Sequence, residues 1–432
     1  MLYSLLYTLA FFALLPYFAY QAIFNRKYLG NLKGRLWLSV IPADSRPAIW
    51  LHAVSVGETL AAKPLIAALR QRFPNYRLVI TTTTMTGQAV ARQQILEADA
   101  VCYFPFDWKF TVRRALNAVQ PEIVVLMESE LWLNFLSECR SRNIPTVVVN
   151  GRISDRSFPR SQKFSFFICK LYRVGTHFLM QSQLDAERAV KLGAPAENVS
   201  VSGNLKYDIH DSSQSPKLIE TAAQLDDRFG LSQSPLIVAG STSEGEELAL
   251  LTAFAELRKV EGGESIRLLI APRHPERFGA VAELIAGSGA KFARRSLANE
   301  SAKDAEVILL DSIGELAAVY QFASVVFVGG SLVPVGGHNI LEAALFAKPI
   351  VVGPHMQNFR EITAEFLRRD ALVQLQTPHA DEQVRKLRRT FADLLSNQTR
   401  AAQLGTNARQ AIEDNRGATA RTVAAIAELL PR

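Results

Sequence analysis

Cysteine is scarce in this chain. Three residues among 432, Cys102, Cys139 and Cys169, cannot build a disulfide framework, and their spacing matches no zinc motif. A reducing compartment is therefore expected. Acidic residues are missing from the amino-terminal region: none precedes Asp44, and no charge of either sign precedes Arg26. Beyond residue 25 there is no second long uncharged apolar run, which excludes a multispan transporter. A mostly disordered chain is excluded as well, because 48% of the residues are hydrophobic and only 21% charged. The charge surplus, +7 from 48 basic and 41 acidic residues, is modest and says little by itself.

What is present starts with residues 1–25, where Leu, Phe, Tyr and Ala dominate and Ser4, Thr8, Pro16 and Gln21 interrupt. About 20 such residues cross a bilayer as a helix, and membrane helices tolerate proline. A secretory signal needs a charged start and a small-residue cleavage site, and neither is evident. The expectation is an uncleaved membrane anchor over 1–25. Arg26, Lys27, Lys33 and Arg35 follow it, which places the rest of the chain on the cytoplasmic side and offers contacts to anionic lipid.

The length suggests two or three domains at roughly 150 residues each. Short β-rich runs alternate with helical patterns, as in parallel sheets covered by crossover helices. Strands are predicted at 48–54, 77–82, 101–104, 123–127 and 146–150, with helices at 60–71, 87–96, 130–139 and 164–172. The pattern restarts after a polar stretch near 208–216. Strands follow at 236–239, 267–271, 307–310, 325–328 and 349–352, with helices at 244–258, 276–287, 314–320, 340–346 and 359–368. The expected organisation is an N-terminal α/β domain over 26–210, a second over 211–410, and a C-terminal helix over 411–432. Whether that helix returns to the first domain is open. Two facing domains would form a cleft at the carboxyl ends of their strands.

Several polar motifs follow predicted strands. In His52-Ala-Val-Ser55-Val-Gly57-Glu58, Gly57 permits a close approach or an unusual turn. Glu58 reads either as an acid favoured at a helix start or as a base in a cleft. Thr81–Thr84 can bind sugar or phosphate, or simply make a turn. Glu128 and Glu130 follow the apolar strand 123–127 and read either as cleft acids or as solvated helix-initiating residues. Arg152, Arg156, Arg160, Lys163, Lys170 and Arg173 interleave with Phe158, Phe164, Phe166 and Phe167. Such a surface fits phosphorylated lipid headgroups. Nucleic acid and plain packing are the rival readings, and the apolar first segment favours lipid.

The second half is richer in phosphate-binding patterns. Gly240-Ser241-Thr242 precedes a helix but lacks the Gly-Lys-Ser/Thr ending of a P-loop. Arg273 follows the next strand, and Lys206 lies near the domain join. Gly329-Gly330-Ser331 leads to Gly336-Gly337-His338-Asn339-Ile340-Leu341-Glu342. Here Asn339 and Glu342 have capping-box spacing, and His338 and Glu342 are spaced to share one helix face. No metal site is assigned. The loop Gly353–Asn358 follows a further strand.

Taken together these motifs resemble the bacterial 3-deoxy-D-manno-oct-2-ulosonic acid (Kdo) transferases of lipopolysaccharide biosynthesis. The resemblance rests on Ser55-Val-Gly-Glu58, Glu128-Ser-Glu-Leu-Trp132, Gly203-Asn-Leu-Lys206, Ala271-Pro-Arg-His274 and Gly336-Gly-His-Asn-Ile-Leu-Glu342, in that order along nearly the whole chain. Leu133 departs from the proline that commonly follows the tryptophan. The resemblance implies a GT-B glycosyltransferase of two facing Rossmann-like domains that transfers Kdo from CMP-Kdo to a lipid A precursor (lipid IVA) with inversion. It needs no cofactor, metal or nucleic acid and sits at the cytoplasmic face of the inner membrane, against an anionic surface. It implies Glu58 as general base. Lys206, Ser241, Thr242, Arg273, His338, Asn339 and Glu342 fall on the donor side. Ser55, Gly57, Thr84, Glu128, Glu130, Arg156, Arg160 and Lys163 fall on the acceptor side. The rivals are a GT-B transferase with another activated sugar or lipid acceptor, and a nonenzymatic lipid-binding protein.

Overall fold

The computed structural model describes residues 3–9, 11–14, 32–38, 41, 44–155, 157–174, 176–209, 215–297, 302–376 and 380–430. The chain divides into two compact units: Met1–Asp208 with Asn415–Arg432, and Ile209–Asp414.

Unit 1 is built on seven parallel strands: β1 (Ala48–His52), β2 (Arg77–Thr82), β3 (Ala100–Tyr103), β4 (Pro121–Met127), β5 (Thr146–Gly151), β6 (Thr176–Met180) and β7 (Val199–Val201). Their order is β3-β2-β1-β4-β5-β6-β7. The central strands are mostly apolar and almost wholly buried, as strands covered on both faces are. Period-2 alternation sends Trp50, Val124 and Leu126 into one core with Phe135 and Phe178. It sends Ile49, Leu51 and Val125 into the other, with Leu65 and Ile426.

Unit 2 repeats the plan with β8 (Leu236–Thr242), β9 (Arg267–Pro272), β10 (Phe292–Arg294), β11 (Val307–Leu309), β12 (Val325–Val328), β13 (Ile350–Val352) and β14 (Val373–Gln374). The order is β10-β11-β9-β8-β12-β13-β14. In unit 1 the winding reverses between β1 and β4, and in unit 2 between β8 and β12. Ligand crevices of open α/β sheets form at such reversals.

All ten predicted strands are present, most with ends shifted by one to three residues. Four short strands are additional: β6, β7, β10 and β14. So are the helices Lys109–Val119, Gln183–Lys191 and Pro216–Phe229. The helix expected over 130–139 begins at Leu133, and the one over 164–172 is preceded by a separate helix, Ser157–Lys163.

The expected anchor, 1–25, is helical at 3–9 and 11–14, and its other residues lie outside the described set. Among the described residues no helix is long and apolar enough to cross a membrane.

The last helix, Ala418–Leu429, packs on Val56–Arg72 in unit 1. Asp208 caps it, accepting the Gly417 N–H at 2.6 Å and the Thr419 N–H. Arg421 donates to the Ser202 carbonyl at 2.8 Å. Gly203 (φ +93°) leaves room for that arginine, since a Cβ there would lie 2.8 Å from its guanidinium.

Candidate functional site

At the reversal in unit 1, β1 runs into the helix Val56–Arg72, whose N-cap is Ser55. Ser55 Oγ donates to Glu58 Oε1 at 3.1 Å, and the Val54 N–H donates to Oε2 at 2.8 Å. Glu58 therefore does form the capping contact, shifted one residue outward from the usual box. Burial pushes its carboxyl up to about 7; the Val54 N–H opposes the shift, and the carboxylates of Glu128 and Glu130 reinforce it. Gly57 makes no unusual turn. It lies in the first helical turn, and a Cβ there would meet only Ser55 Oγ, at 3.9 Å. Its exposure leaves the close-approach reading standing.

Thr84 caps the next helix, Met85–Gln94, accepting the Gly87 N–H at 3.0 Å, and it donates to the Val54 carbonyl at 3.3 Å. Thr81 and Thr82 are fully buried, so of the threonine cluster these two are structural. The Thr81 hydroxyl accepts from Trp50 Nε1 at 2.8 Å.

Glu128 follows β4 in the left-handed region at φ 57°. One carboxylate oxygen lies 3.8 Å from the Arg152 guanidinium. Glu130 accepts from Trp132 Nε1 at 3.1 Å, and burial raises its carboxyl. Neither acid starts a helix. Leu133 is the first helical residue, a position that also suits proline, so the exchange leaves the turn intact. β1 and β4 are neighbours, and this brings Glu58, Glu128 and Glu130 into one electrostatic group.

Arg160 and Lys163 are exposed on the helix Ser157–Lys163. Arg156 lies outside the described residues. Lys206 is half-buried in unit 1, on the short turn Leu205–Tyr207 capped by Asn204.

In unit 2 the carboxyl ends of β9, β8, β12 and β13 carry the expected motifs on adjacent strands. Ser241 occupies a bulge at φ 56°. Thr242 is buried, and its hydroxyl donates to Glu247 at 2.8 Å; Glu247 in turn pairs with Arg277. That hydroxyl therefore faces inward and is not offered to a phosphate.

His338 and Glu342 do not share a helix face. The helix is Leu341–Leu345, and His338 lies in the loop before it. Burial pushes the His338 imidazole down to about 4, and the charges of Arg273 and His274 add to this, so the ring is neutral at pH 7. Its Nε2 is buried without a partner. Asn339 does not close the reciprocal box: its Oδ1 takes the Leu341 N–H at 3.1 Å, and its Nδ2 donates to Glu342 at 3.1 Å. The Glu342 carboxyl is reached by solvent yet hemmed in by protein. Desolvation raises it, while Asn339 and the nearby Arg273 oppose the shift. Arg273 is exposed, so Arg273, His338 and Glu342 form one cluster.

One residue was missed. Glu246, fully buried, accepts the N–H groups of Gly330 (2.7 Å), Ser331 (2.9 Å), Leu332 (2.8 Å) and Ser243 (2.8 Å). It ties the loop after β8 to the glycine-rich loop after β12. The signal was the capping-box spacing Ser243-x-x-Glu246. Gly329 completes the junction, because a Cβ there would lie 2.4 Å from the Ser241 carbonyl oxygen. The loop after β13 is laced in by His355 N–H to Ser331 O and Asn358 N–H to Gly336 O, both at 2.9 Å.

A family model described as 3-deoxy-D-manno-octulosonic-acid transferase (kdotransferase) matches residues 30–209. A 3-deoxy-D-manno-octulosonic acid transferase of Haemophilus influenzae is 34% identical over 386 residues, covering 89% of this chain and 87% of that protein. One of Bordetella pertussis is 32% identical over 409 residues, covering 90% and 89%. The crystal structure of UDP-GlcNAc 2-epimerase from Neisseria meningitidis bound to UDP-GlcNAc matches with a TM-score of 0.59 at 14% identity, over 88% of this chain and all (100%) of that one. A glycosyltransferase from Rickettsia africae matches with a TM-score of 0.57 at 13% identity, over 90% and 100%. These two likenesses speak for the fold alone, a GT-B-like pair of α/β halves. The relatives at 34% and 32% identity, aligned along most of their own length, go further: the chain belongs to the 3-deoxy-D-manno-octulosonic acid (Kdo) transferase family.

Proposed function

We propose that this chain transfers Kdo from CMP-Kdo to a sugar hydroxyl of a lipid A precursor of the lipid IVA type, in lipopolysaccharide assembly, with inversion at the anomeric carbon. The observation that carries the base assignment is Glu58 itself, held at the β1–β4 reversal and poised near neutral pH by burial and two neighbouring carboxylates. Ionised Glu58 takes the proton of the acceptor hydroxyl as its oxygen bonds to the anomeric carbon. The bond from that carbon to the CMP phosphate oxygen breaks, and CMP leaves with the electron pair.

The donor assignment follows unit 2, proposed as the CMP-sugar domain over 211–410, with 26–210 as the acceptor domain. The N–H groups of Gly330, Ser331 and Leu332 are already taken by Glu246, so they do not hold the phosphate. That task falls to exposed Arg273 and the Ser241 loop; the Gly203-Asn-Leu-Lys206 motif keeps Lys206 a proposed donor-side cation. His338, neutral at pH 7, and Glu342 suit hydrogen bonds to the nucleoside. Thr242 and Asn339 act by shaping their loops. On the acceptor side, Glu128 and Glu130 face the sugar, Ser55, Gly57 and Thr84 shape the pocket, and Arg156, Arg160 and Lys163 meet phosphate. The enzyme works at the cytoplasmic face of the bacterial inner membrane.

The test supplies CMP-Kdo generated in situ and tetraacyl lipid A precursor to the purified protein and follows the product by mass spectrometry. Addition of Kdo is expected, and NMR of the product gives its anomeric configuration. Transfer of a different activated sugar by folded protein inert toward CMP-Kdo would overturn the assignment.

A further inference from the structure

We propose that Asn150 is a positioning residue: from the end of β5 it holds the turn that carries Lys206 against the helix that carries Glu58. The inference deepens the proposed function and rests on its reading of Lys206 as a donor-side cation.

Asn150 is not what a strand end alone would call for. It lies in the left-handed region at φ 55°, where the β5–β6 register shifts between Val148 and Gly151. Glycine takes such a φ without strain, and asparagine takes it at a cost. The side chain is fully buried, and its Nδ2 donor has no partner, which destabilises further. What it supplies in return is an acceptor: Oδ1 takes the Leu205 N–H at 3.0 Å. Gln181, just past β6, steadies the same peptide by donating from Nε2 to the Asn150 carbonyl at 3.0 Å.

Leu205 opens the turn Leu205–Tyr207. It is fully buried, so its N–H would be stranded without Asn150. The next N–H, that of Lys206, is taken by Asn204 Oδ1 at 3.0 Å. Two asparagine side chains thus fix the backbone on the approach to the lysine. The Leu205 side chain seats the turn between two helices. It shares a core with Ala61, Ala62 and Leu65 of the helix Val56–Arg72, whose first turn holds Glu58, and with Ala418 and Ile426 of the last helix. The last helix grips the segment from both sides of the turn, through Arg421 on the Ser202 carbonyl at 2.8 Å and through its cap Asp208.

The backbone of Lys206 is therefore set relative to the Glu58 helix within unit 1 alone. A long flexible side chain already loses rotamer freedom when it binds an anion. A loose turn would have to be ordered at the same moment, and that would weaken donor binding. Asn150 removes this second loss in advance.

The test is a double-mutant cycle on the full chain, with initial rates measured against CMP-Kdo and against acceptor. Asn150→Gly suits the φ and removes the acceptor oxygen. It is expected to raise the donor KM about fivefold and leave the acceptor KM unchanged. Lys206→Ala should raise the donor KM more, and adding Asn150→Gly to it should change nothing further. Additive effects, or a native donor KM in Asn150→Gly, would make Asn150 a plain structural staple and overturn the proposal. Arg421→Met keeps the stem of an exposed side chain and removes the bond to Ser202, so folding is not at stake. It should act in the same direction and be equally silent beside Lys206→Ala; independence from Lys206 would count against the proposal. Hydrogen exchange reads the clamp without any donor. The Leu205 amide should exchange at least about tenfold faster in Asn150→Gly, and unchanged exchange would remove the clamp. Faster exchange together with a native donor KM in Lys206→Ala would locate the failure in the donor-side reading of Lys206, and the proposal would fall with it.

Discussion

Both carboxylate oxygens of Glu58 are engaged before any substrate arrives, one by Ser55 and one by the Val54 N–H. Replacing it by Gln keeps the size and most of these contacts but removes the base. Turnover is expected to fall about 10²–10⁴-fold with donor binding retained; unchanged turnover would end the base assignment. With the carboxyl held near 7, turnover of the native protein should rise with pH through that region, and the Gln variant should lose the inflection. The stability effect has the opposite sign. A carboxyl raised above its ordinary value of about 4.3 takes up a proton on folding, so its contribution is present at low pH and is lost as pH rises through about 7. Glu58→Gln should therefore raise the melting temperature at pH 8 relative to the native protein and change it little at pH 4. Burial raises the Glu246 carboxyl too, but four N–H groups converge on it and oppose the shift. Glu246→Ala strands buried donors and should cost about 3 kcal/mol or more, read by denaturant melts.

Among the elements, loops after strands carry the proposed site residues, and glycine decides how closely they approach. A methyl at Gly329 would collide with the Ser241 carbonyl. Gly329→Ala should cost about 1–3 kcal/mol and raise the donor KM more than it lowers kcat, because the donor loops separate while Glu58 is untouched. The long buried strands were legible because two-sided burial demands unbroken Val, Ile and Leu runs, as in β4 and β12. β7 and β14 were not: they are as short as β11 and β13 or shorter but not buried, so they carry no apolar run and become strands only by pairing with β6 and β13. The His338–Glu342 spacing misled for a related reason. A four-residue interval implies a shared face only inside a helix, and two glycines at positive φ, Gly336 and Gly337, delay the helix past His338.

Across the whole molecule, the chain leaves unit 1 at Asp208 and comes back at Asn415, so that unit closes only when the last helix docks. Truncation after Asp414 removes Ile426 and Ala418 from the core and should lower the unfolding temperature of unit 1 but not of unit 2 in calorimetry. Equal transitions in the truncated and full chains would refute this. Asp208→Ala, which removes only the helix cap, should cost about 1 kcal/mol.

The sequence alone determined the two α/β units and the family, and it placed the proposed site motifs at strand ends, because apolar periodicity and short ordered motifs are local. The scarcity of cysteine likewise foretold a chain held by its cores. Only the tertiary structure decided which polar groups remain available. It spent Thr242 on Glu247 and three loop N–H groups on Glu246, and it gathered three carboxylates across β1 and β4. It also tied the described part of the apolar first segment to Asp107 and Asn134 through Tyr3 and Ser4. Hydropathy measures how much apolar surface a segment carries, whereas the partner of each hydroxyl is set by residues a hundred positions away.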